Sequence, residues 1–212
     1  MSQNVLVVHG GGPTAVINAS LYGVIEEAKR NPEVGKVYGA IGGTGAIFSE
    51  TFIDLTSFDD EKLKLLLHTP ASAIGSSRYP LYEKDYEKMV DIFKKHDIKY
   101  VLLNGGNGTM DACGHIYEVC KDQDIKVVGI PKTIDNDIAM TDHSPGYGSA
   151  AKYIGTSMKE IIRDSFCLEY EKGVVSIVEI MGRNAGWLTG STALSQGEDC
   201  EGPDLIYLPE LP

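Results

Sequence analysis

Short apolar runs recur along this chain, and each is followed by a glycine-rich or polar turn and then by a stretch with helical periodicity. The clearest runs are Val5–Val8, Tyr100–Leu103 and Ile125–Ile130. Runs of this length without polar alternation are typical of parallel strands that are buried on both faces. The alternation therefore predicts an α/β fold, in which a mostly parallel sheet is covered by helices on both faces.

Further strands and helices are predicted by the same patterns. The other predicted strands are Lys36–Ile41, Val174–Ile180 and Leu205–Leu208. The predicted helices are 17–28, Asp59–Leu67, Leu81–His96, Met110–Cys120, Ser149–Phe166 and Asn184–Leu194. Asp142, Pro145, Gly146 and Gly148 cluster between two of these elements and predict a domain boundary. We therefore expect a first domain over residues 1–142 and, over 143–212, the start of a second α/β domain.

Charge and cysteine content limit the class of protein. The net charge of −11 argues against general binding to nucleic acid or to an anionic membrane. Phosphorylated substrates need only local positive charge, which Arg78, Lys132 and Arg183 can supply. The four cysteines form no CxxC pair, and the polar N-terminus and short apolar runs resemble neither a signal peptide nor a membrane span. We therefore expect a cytoplasmic protein with free thiols.

The stretch Pro131–Asp137, which reads PKTIDND, indicates phosphoryl-transfer chemistry. It follows a predicted buried strand and places Asp135 and Asp137 close to Lys132 and Thr133. A carboxylate can accept a proton from an attacking hydroxyl, and a cation can stabilise the charge that develops on a phosphate. A polar loop after a core strand is the simpler alternative for an isolated DxD pattern.

Two further stretches favour the chemical interpretation. Asn104–Asp111, NGGNGTMD, joins a predicted strand to a predicted helix, and its glycines allow the backbone to approach an anion at the helix N-terminus. Met181–Trp187, MGRNAGW, follows another predicted strand and contains Arg183, whose guanidinium can bind a phosphate with two hydrogen bonds. We expect all of these loops at the carboxyl ends of the parallel strands, where α/β sheets bind ligands.

Together these motifs resemble the 6-phosphofructokinase family. The resemblance also includes GGGPTAVIN at Gly10–Asn18, GSSR at Gly75–Arg78 and LPE at Leu208–Glu210, and it extends over nearly the whole chain. The GGNGT loop alone also occurs in NAD kinases and lipid kinases, but PKTIDND followed by MGRNAG is specific. The resemblance implies transfer of a phosphoryl group to the 1-hydroxyl of fructose 6-phosphate, with Mg²⁺ as cofactor.

Roles for individual residues follow from this resemblance. It implies that Asp135 is the catalytic base and that Arg78 and Lys132 act on the transferred or leaving phosphate. The donor-binding residues that it implies are Gly11, Arg78, Gly106, Asn107, Gly108 and Thr109. The sugar-phosphate-binding residues that it implies are Thr133, Asp135, Asp137, Met181, Gly182 and Arg183.

The chain departs from the family pattern at two positions. Asn107 stands where the family usually has an aspartate for magnesium, and a neutral amide should bind the metal more weakly than a carboxylate. Val174 stands where the family usually has a basic residue that reaches the sugar site of a neighbouring subunit. A non-catalytic or regulatory role is therefore an alternative, although Asp135, Asp137 and Arg183 are all present.

Two residues give opposing indications about the phosphoryl donor. Pyrophosphate-dependent members usually have aspartate where this chain has Gly108, and the absence of that side chain leaves room for the α-phosphate of ATP. Lys132 stands where many ATP-dependent members have glycine, and pyrophosphate-dependent members use lysine there to hold the leaving phosphate. We expect ATP, because steric exclusion is the stricter constraint, and pyrophosphate is the alternative.

Length is a further expectation from the resemblance. Phosphofructokinases of this type are longer than 212 residues, so we expect this chain to be the N-terminal portion of such a protein or to be completed by another chain. We also expect a homo-oligomer at full length and little activity from the 212 residues alone.

Overall fold

The computed structural model describes residues 3–168 and 171–210, and its largest feature is a five-stranded sheet with the order β3-β2-β1-β4-β5. The strands are β1 (Gln3–His9), β2 (Val34–Ala40), β3 (Phe52–Asp54), β4 (Ile98–Gly105) and β5 (Lys126–Pro131). The pairs β1–β2, β1–β4 and β4–β5 are parallel. The four predicted strands of this region therefore form one parallel sheet, as expected.

Seven α-helices connect or follow the strands in the described residues. They are α1 (Ala15–Arg30), α2 (Gly45–Phe48), α3 (Asp60–Lys64), α4 (Glu83–Lys95), α5 (Asn107–Cys120), α6 (Tyr147–Phe166) and α7 (Trp187–Gly190). Short 3-10 turns at Leu65–Leu67 and Ser191–Ser195 continue two of them. The helix predicted over Asp59–Leu67 and the one predicted over Asn184–Leu194 are thus each a short α-helix followed by a tighter turn.

The central strand β1 shows why helices cover both faces. Leu6 and Val8 pack in one apolar cluster with residues of α4 and α5. Val5 and Val7 point to the opposite face, where they pack with residues of α1. Successive side chains of a strand alternate between faces, so a strand that is apolar at every position must be covered twice. The predicted layer arrangement is confirmed.

The short edge strand β3 was not predicted from the sequence. It spans Phe52–Asp54 and pairs antiparallel with Tyr38–Ala40 of β2. Three residues are too few to establish a recognisable alternation. It lies at the edge of the sheet, and its antiparallel pairing makes the sheet mixed rather than purely parallel.

The chain divides into two compact units, the first ending at Lys132 and the second beginning at Thr133. The boundary predicted from the sequence lies later, after residue 142. The earlier division has a local cause, because Thr133 forms a parallel bridge with Gly146 and Asn136 hydrogen-bonds to residues 142 and 144. These contacts join the TIDND stretch to the segment that precedes α6. Residues 1–2, 169–170 and 211–212 of the predicted domains lie outside the described residues.

Two predicted strands are wrong. Val174–Ile180 and Leu205–Leu208 form neither strand nor helix, and Val175 and Ile177 are 85% and 90% exposed. The second unit contains helices but no strand in its described ranges, 133–168 and 171–210. An extended segment becomes a strand only when a neighbouring strand supplies its backbone hydrogen bonds. The start of a second α/β domain is therefore represented here by helices alone.

The structure also bears on membrane insertion and on the cysteines. In residues 3–168 and 171–210, no helix is long and apolar enough to cross a membrane. All four cysteines are free thiols, and Cys113, Cys120 and Cys200 are buried.

Candidate active site

The carboxyl ends of β1, β4 and β5 meet at one edge of the sheet. The amide of Gly10 donates to the Asn104 carbonyl at 3.0 Å, and the amide of Lys132 donates to the Gly105 carbonyl at 2.9 Å. These bonds continue the strand pairing into the loops that follow β1, β4 and β5. The structure therefore brings together the GGGP loop, the GGNGT loop and Lys132, as the sequence predicts.

Thr109 determines how closely two of these loops approach each other. It is buried in the first turn of α5, and a Cβ atom at either Gly10 or Gly105 would collide with its side chain. Both positions therefore require glycine. Thr109, predicted to bind the donor, has its side chain packed against these two glycines, so its clearest role is to set the shape of the loops.

Helix α5 begins earlier than predicted, at Asn107 rather than at Met110. Gly106 is its N-cap residue, and the Gly106 carbonyl accepts from the amides of Thr109 and Met110 at 2.9 and 3.0 Å. Asn107 and Gly108 therefore lie in the first helical turn. The first amides of a helix have no intrahelical acceptor and favour an anion. This helix end can bind phosphate oxygens.

Gly108 lies on the exposed side of this first turn. A Cβ atom built at Gly108 would meet nothing within 4 Å. The glycine is therefore not required by packing, unlike Gly105, and its absent side chain leaves open space in front of the helix end. Gly114, farther along α5, has the same open surroundings.

The GSSR loop packs against the same edge of the sheet. Gly75 has φ of +71°, and the Ser76 hydroxyl donates to the Gly11 carbonyl at 2.7 Å. Ser77 forms a parallel bridge with Gly10. Arg78 follows directly, and its side chain is exposed. The structure thus places the backbone of Arg78 beside the first glycine loop.

Three buried polar residues hydrogen-bond to the segments that carry these loops. They were not identified from the sequence. They are His9, Asn18 and Asn104, all fully buried. Asn18 accepts from the amide of Ala73 and donates to the Thr69 carbonyl, each at 2.8 Å. Burial lowers the pKa of His9 to about 4, so its imidazole is neutral near pH 7. A polar residue that ends an otherwise apolar strand, such as His9, is the signal that could have identified this network.

The TIDND loop of the second unit is fixed by Asn136. This residue is buried with φ of +57°, a left-handed conformation that asparagine adopts more readily than most residues. Its side-chain amide donates to the Asp142 carbonyl at 3.2 Å and accepts from the Ser144 amide at 2.7 Å. The sequence motifs alone give Asn136 no role. It holds the backbone between the two aspartates.

Asp135 and Asp137 flank Asn136 and are half-buried. The amide of Asp135 donates to the Thr133 hydroxyl at 3.0 Å, which closes a tight turn. Thr133 and Lys132 are themselves buried. The structure therefore places the predicted base within a loop of fixed geometry.

The MGRNAG turn is also determined by glycines. Gly182 has φ of +118°, and a Cβ atom there would collide with the Ala185 carbonyl. The Gly186 amide donates to the carboxylate of Glu210 at 2.6 Å, which links this turn to the LPE stretch. The side chains of Met181 and Arg183 are exposed. Since Val174–Ile180 is not a strand, this turn does not follow a strand end as predicted.

The described residues provide no preformed metal cage. No group of three or more His, Cys, Asp or Glu side chains in residues 3–168 and 171–210 is arranged to hold a metal ion. Asn107 offers a neutral amide oxygen at the start of α5. Mg²⁺ in phosphoryl-transfer sites is usually bound through one or two protein oxygens together with substrate phosphates. The residues present fit that mode and not an all-protein site.

Comparison with known proteins gives a consistent result. The family model described as phosphofructokinase matches residues 4–212. The chain is 39% identical to a pyrophosphate–fructose 6-phosphate 1-phosphotransferase of Halomonas elongata, across 99% of this chain and 52% of that protein. It is 32% identical to an ATP-dependent 6-phosphofructokinase of Actinobacillus pleuropneumoniae, across 98% of this chain and 60% of that protein. The chain thus spans about half the length of such relatives.

A solved structure shows the same similarity. The crystal structure of a pyrophosphate-dependent phosphofructokinase from Marinobacter aquaeolei superposes with a TM-score of 0.86 at 38% identity. The match covers 99% of this chain and 54% of that one.

Proposed function

Because this chain belongs to the phosphofructokinase family, we propose that the full-length protein transfers a phosphoryl group to the 1-hydroxyl of fructose 6-phosphate. The product would be fructose 1,6-bisphosphate. The observation that best supports the proposal is the edge of the sheet in the first unit. There, the glycine loops after β1 and β4 and the N-terminus of α5 form a surface on which phosphate oxygens can be bound by backbone amides.

We assign the chemical step to Asp135. In this proposal the carboxylate accepts the proton of the sugar 1-hydroxyl while the hydroxyl oxygen attacks the terminal phosphorus of the donor. The bond from that phosphorus to the leaving phosphate then breaks. The fixed turn at Thr133 and Asn136 supports the assignment, because a general base must be held in one geometry.

Cationic side chains have the complementary task. Arg78 would face the transferred group, and Lys132 would stabilise the leaving phosphate. Preorganised cations stabilise the charge of a phosphoryl-transfer transition state without any rearrangement during the reaction. The loop contacts that fix the backbone at Ser76 and Ser77 support this role for Arg78.

Donor and sugar phosphate would be bound by separate sets of residues. We propose that Gly11, Gly106, Asn107 and Gly108 bind the donor through backbone amides and close approach, with Thr109 shaping the loops. For the sugar phosphate we propose the following set: Thr133, Asp137, Met181, Gly182 and Arg183. The positive φ of Gly182 supports a backbone role there, and the exposed guanidinium of Arg183 suits the binding of a phosphate.

Magnesium would be bound together with the donor. Asn107 would contribute its amide oxygen, and the donor phosphates would contribute the charged ligands. When bound, the ion would neutralise part of the phosphate charge.

We favour ATP as the donor because of Gly108. Its exposed position and open surroundings leave space next to the helix N-terminus for the α-phosphate and nucleoside. An aspartate carboxylate about 4 Å from that phosphate would repel it by about 4 kcal/mol per charge pair at an effective dielectric constant of about 20. Such a charge would not affect pyrophosphate, which has no α-phosphate.

Pyrophosphate is the second candidate, and two observations favour it. The relatives named as pyrophosphate-dependent are 36% to 40% identical to this chain, against 32% for the ATP-dependent one. Lys132 is buried directly after β5, where its ammonium can hold a free leaving phosphate.

The test is a steady-state assay of the full-length protein with fructose 6-phosphate and each donor, with the phosphorylated carbon identified by NMR. The proposal expects phosphate at carbon 1 and a higher kcat/KM for ATP. A higher value for pyrophosphate would reverse the choice of donor. Phosphorylation of a different substrate class, or none, would contradict the proposed function.

Gly108→Asp sharpens the donor assignment. It should lower kcat/KM for ATP at least tenfold and leave the value for pyrophosphate nearly unchanged, because only ATP places an α-phosphate there. Gly114→Asp is the matched control, since it adds the same charge on the same helix at an equally open position. Unchanged ATP efficiency in Gly108→Asp would contradict the exclusion mechanism.

Two further properties are part of the proposal. We propose a cytoplasmic location, which the four free thiols support. We also propose that the full-length protein is a homo-oligomer, and that the 212 residues alone self-associate through the exposed apolar side chains of 174–180.

A further inference from the structure

His9 connects the glycine loops that follow β1 and β4 with the GSSR loop. It is the last residue of β1, directly before Gly10, and it is fully buried. Its Nδ1 lies 2.7 Å from the Ser72 hydroxyl, and its Nε2 lies 3.4 Å from the side-chain nitrogen of Asn104. Asn104 directly precedes the GGNGT glycines, and Ser72 precedes the GSSR loop. One imidazole therefore contacts the segments that lead into two of the loops and itself leads into the third.

The hydrogen bonds determine which imidazole nitrogen carries the proton. The Ser72 hydroxyl donates to the Gly75 carbonyl at 2.7 Å, and a hydroxyl has only one hydrogen to donate. Ser72 must therefore accept from His9, which places the proton on Nδ1. The side-chain nitrogen of Asn104 donates to the Ile17 carbonyl at 2.9 Å, so its second hydrogen faces the unprotonated Nε2. Asn104 thus donates to His9, His9 donates to Ser72, and Ser72 donates to the Gly75 carbonyl.

We propose that His9, as the neutral Nδ1–H tautomer, is a positioning residue that holds the Arg78 loop against the ends of β1 and β4. This inference rests on the proposed function, in which Arg78 faces the transferred phosphoryl group. The path from His9 to Arg78 is short: Ser72 fixes the carbonyl of Gly75, and the next three residues are Ser76, Ser77 and Arg78.

Other contacts of the loop explain why this position matters. Ser76 bonds to the Gly11 carbonyl, and Gly42 donates to the Ile74 carbonyl at 2.8 Å. These contacts hold Ile74 and Ser76, whereas the His9–Ser72 bond holds the residue that fixes the Gly75 carbonyl. A second proton on Nε2 would face the hydrogens of the Asn104 amide instead of an acceptor. Burial keeps the pKa of His9 at about 4, in agreement with a neutral ring.

The tautomer can be tested on the ligand-free protein. Nitrogen-15 NMR of the imidazole should show a protonated Nδ1 and an unprotonated Nε2, without change between pH 7 and pH 5. An Nε2–H tautomer, or titration near the ordinary histidine value, would overturn the inference. The result does not depend on any enzymatic activity.

The positioning role is tested by kinetics of the full-length protein. His9→Leu removes both hydrogen bonds and should lower kcat/KM for the donor by up to about 100-fold, since displacing a catalytic group by about 1 Å has an effect of that size. The KM for fructose 6-phosphate should stay unchanged. His9→Asn keeps an N–H near the position of Nδ1 and should restore most of the loss. His68→Gln, an exposed histidine outside the network, is the matched control.

Ser72→Ala completes a double-mutant cycle with His9→Leu. If both residues act through the same contact, the double variant should be no slower than the slower single variant. Additive losses, or donor constants unchanged in His9→Leu, would overturn the inference while leaving the proposed function intact. If wild type transfers no phosphoryl group, the proposed function fails, and the positioning role fails with it. If His9→Leu does not fold, Ser72→Ala and His9→Asn still decide the question.

Discussion

Similar apolar sequences have different structures in the two units. In the first unit, the apolar run Val5–Val8 of the central strand β1 is completely or almost completely buried between helices. In the second unit, the apolar run Val174–Ile180 is largely exposed and lies outside any strand or helix. Both runs contain β-branched residues at the density expected of a strand. Apolar composition therefore does not determine whether a strand forms.

The difference lies in the neighbours of each run. Val5 pairs with Val37 on one side and with Tyr100 on the other. In the described residues of the second unit, 133–168 and 171–210, no strand is available to pair with the run Val174–Ile180. Strand propensity largely measures packing against cross-strand and same-face neighbours. The first unit supplies such neighbours from its own sequence, whereas the described residues of the second unit do not.

Substitution of two isoleucines, one in each unit, should show the difference between the units most strongly. Ile116 is 0% exposed in α5, whereas Ile177 is 90% exposed. Ile116→Ala should lower the free energy of unfolding by about 2–5 kcal/mol, because it removes buried methyl groups and leaves a cavity. Ile177→Ala should change it by less than about 0.5 kcal/mol. Urea denaturation measures both changes, with amide exchange in β1 as the probe of the first unit and in α6 as the probe of the second.

Ile177→Lys extends the same test to association. An exposed apolar patch promotes self-association, so a charge in it should raise the fraction of monomer in analytical ultracentrifugation. A large loss of stability in Ile177→Ala would show that this run is buried in solution, and the contrast between the units would then be wrong.

A pH-dependent effect is expected in the first unit. The pKa of His9 is about 4 in the folded protein and 6.5 ordinarily, so the unfolded state binds more protons between these values. The contribution of His9 to the free energy of unfolding therefore has its full value above pH 6.5. It decreases by up to about 3 kcal/mol as the pH falls toward 4. Urea titrations at pH 7 and pH 4.5 should show a smaller decrease for His9→Asn than for wild type. An equal decrease would mean that His9 does not remain neutral.

Two glycines give the smallest contrast. Gly182→Ala should destabilise the MGRNAG turn by about 1–3 kcal/mol, because its φ is +118° and its Cβ would meet the Ala185 carbonyl. Gly108→Ala should be neutral or stabilising by up to about 1 kcal/mol, since it adds a helix-forming residue in open space. Amide exchange at Gly186 and Thr109 reports the two sites separately. Equal effects at both positions would show that the turn at Gly182 accepts an alanine side chain.

Much of the first unit could be predicted because its signals are local. The apolar run of β4 and the periodicity of α5 lie within single windows of sequence, and the glycines after β4 mark the turn. The start of α5 was placed too late, because Asn107 and Gly108 have low helix propensity and resemble a loop. The edge strand β3 is too short to leave a pattern.

The missed parts of the site depend on contacts between distant residues. His9 reaches Ser72, which is 63 positions away, and Asn104 is 95 positions from His9. No window of sequence contains both partners. Asn136 is different, since its partners lie within eight residues, but its role depends on a left-handed backbone that the sequence does not specify. Motif resemblance identified the residues proposed for chemistry, while the residues that hold them appear only in the structure.

We propose that Asp135 is the base for phosphoryl transfer to fructose 6-phosphate, and the variant Asp135→Asn decides this. Asp142→Asn is the control, because it removes a nearby exposed carboxylate from the same segment. In the full-length protein, Asp135→Asn should lower kcat by at least about 100-fold with the fold unchanged, a typical size for the loss of a general base. Asp142→Asn should retain wild-type turnover. Near-normal kcat in Asp135→Asn would show that Asp135 is not the base.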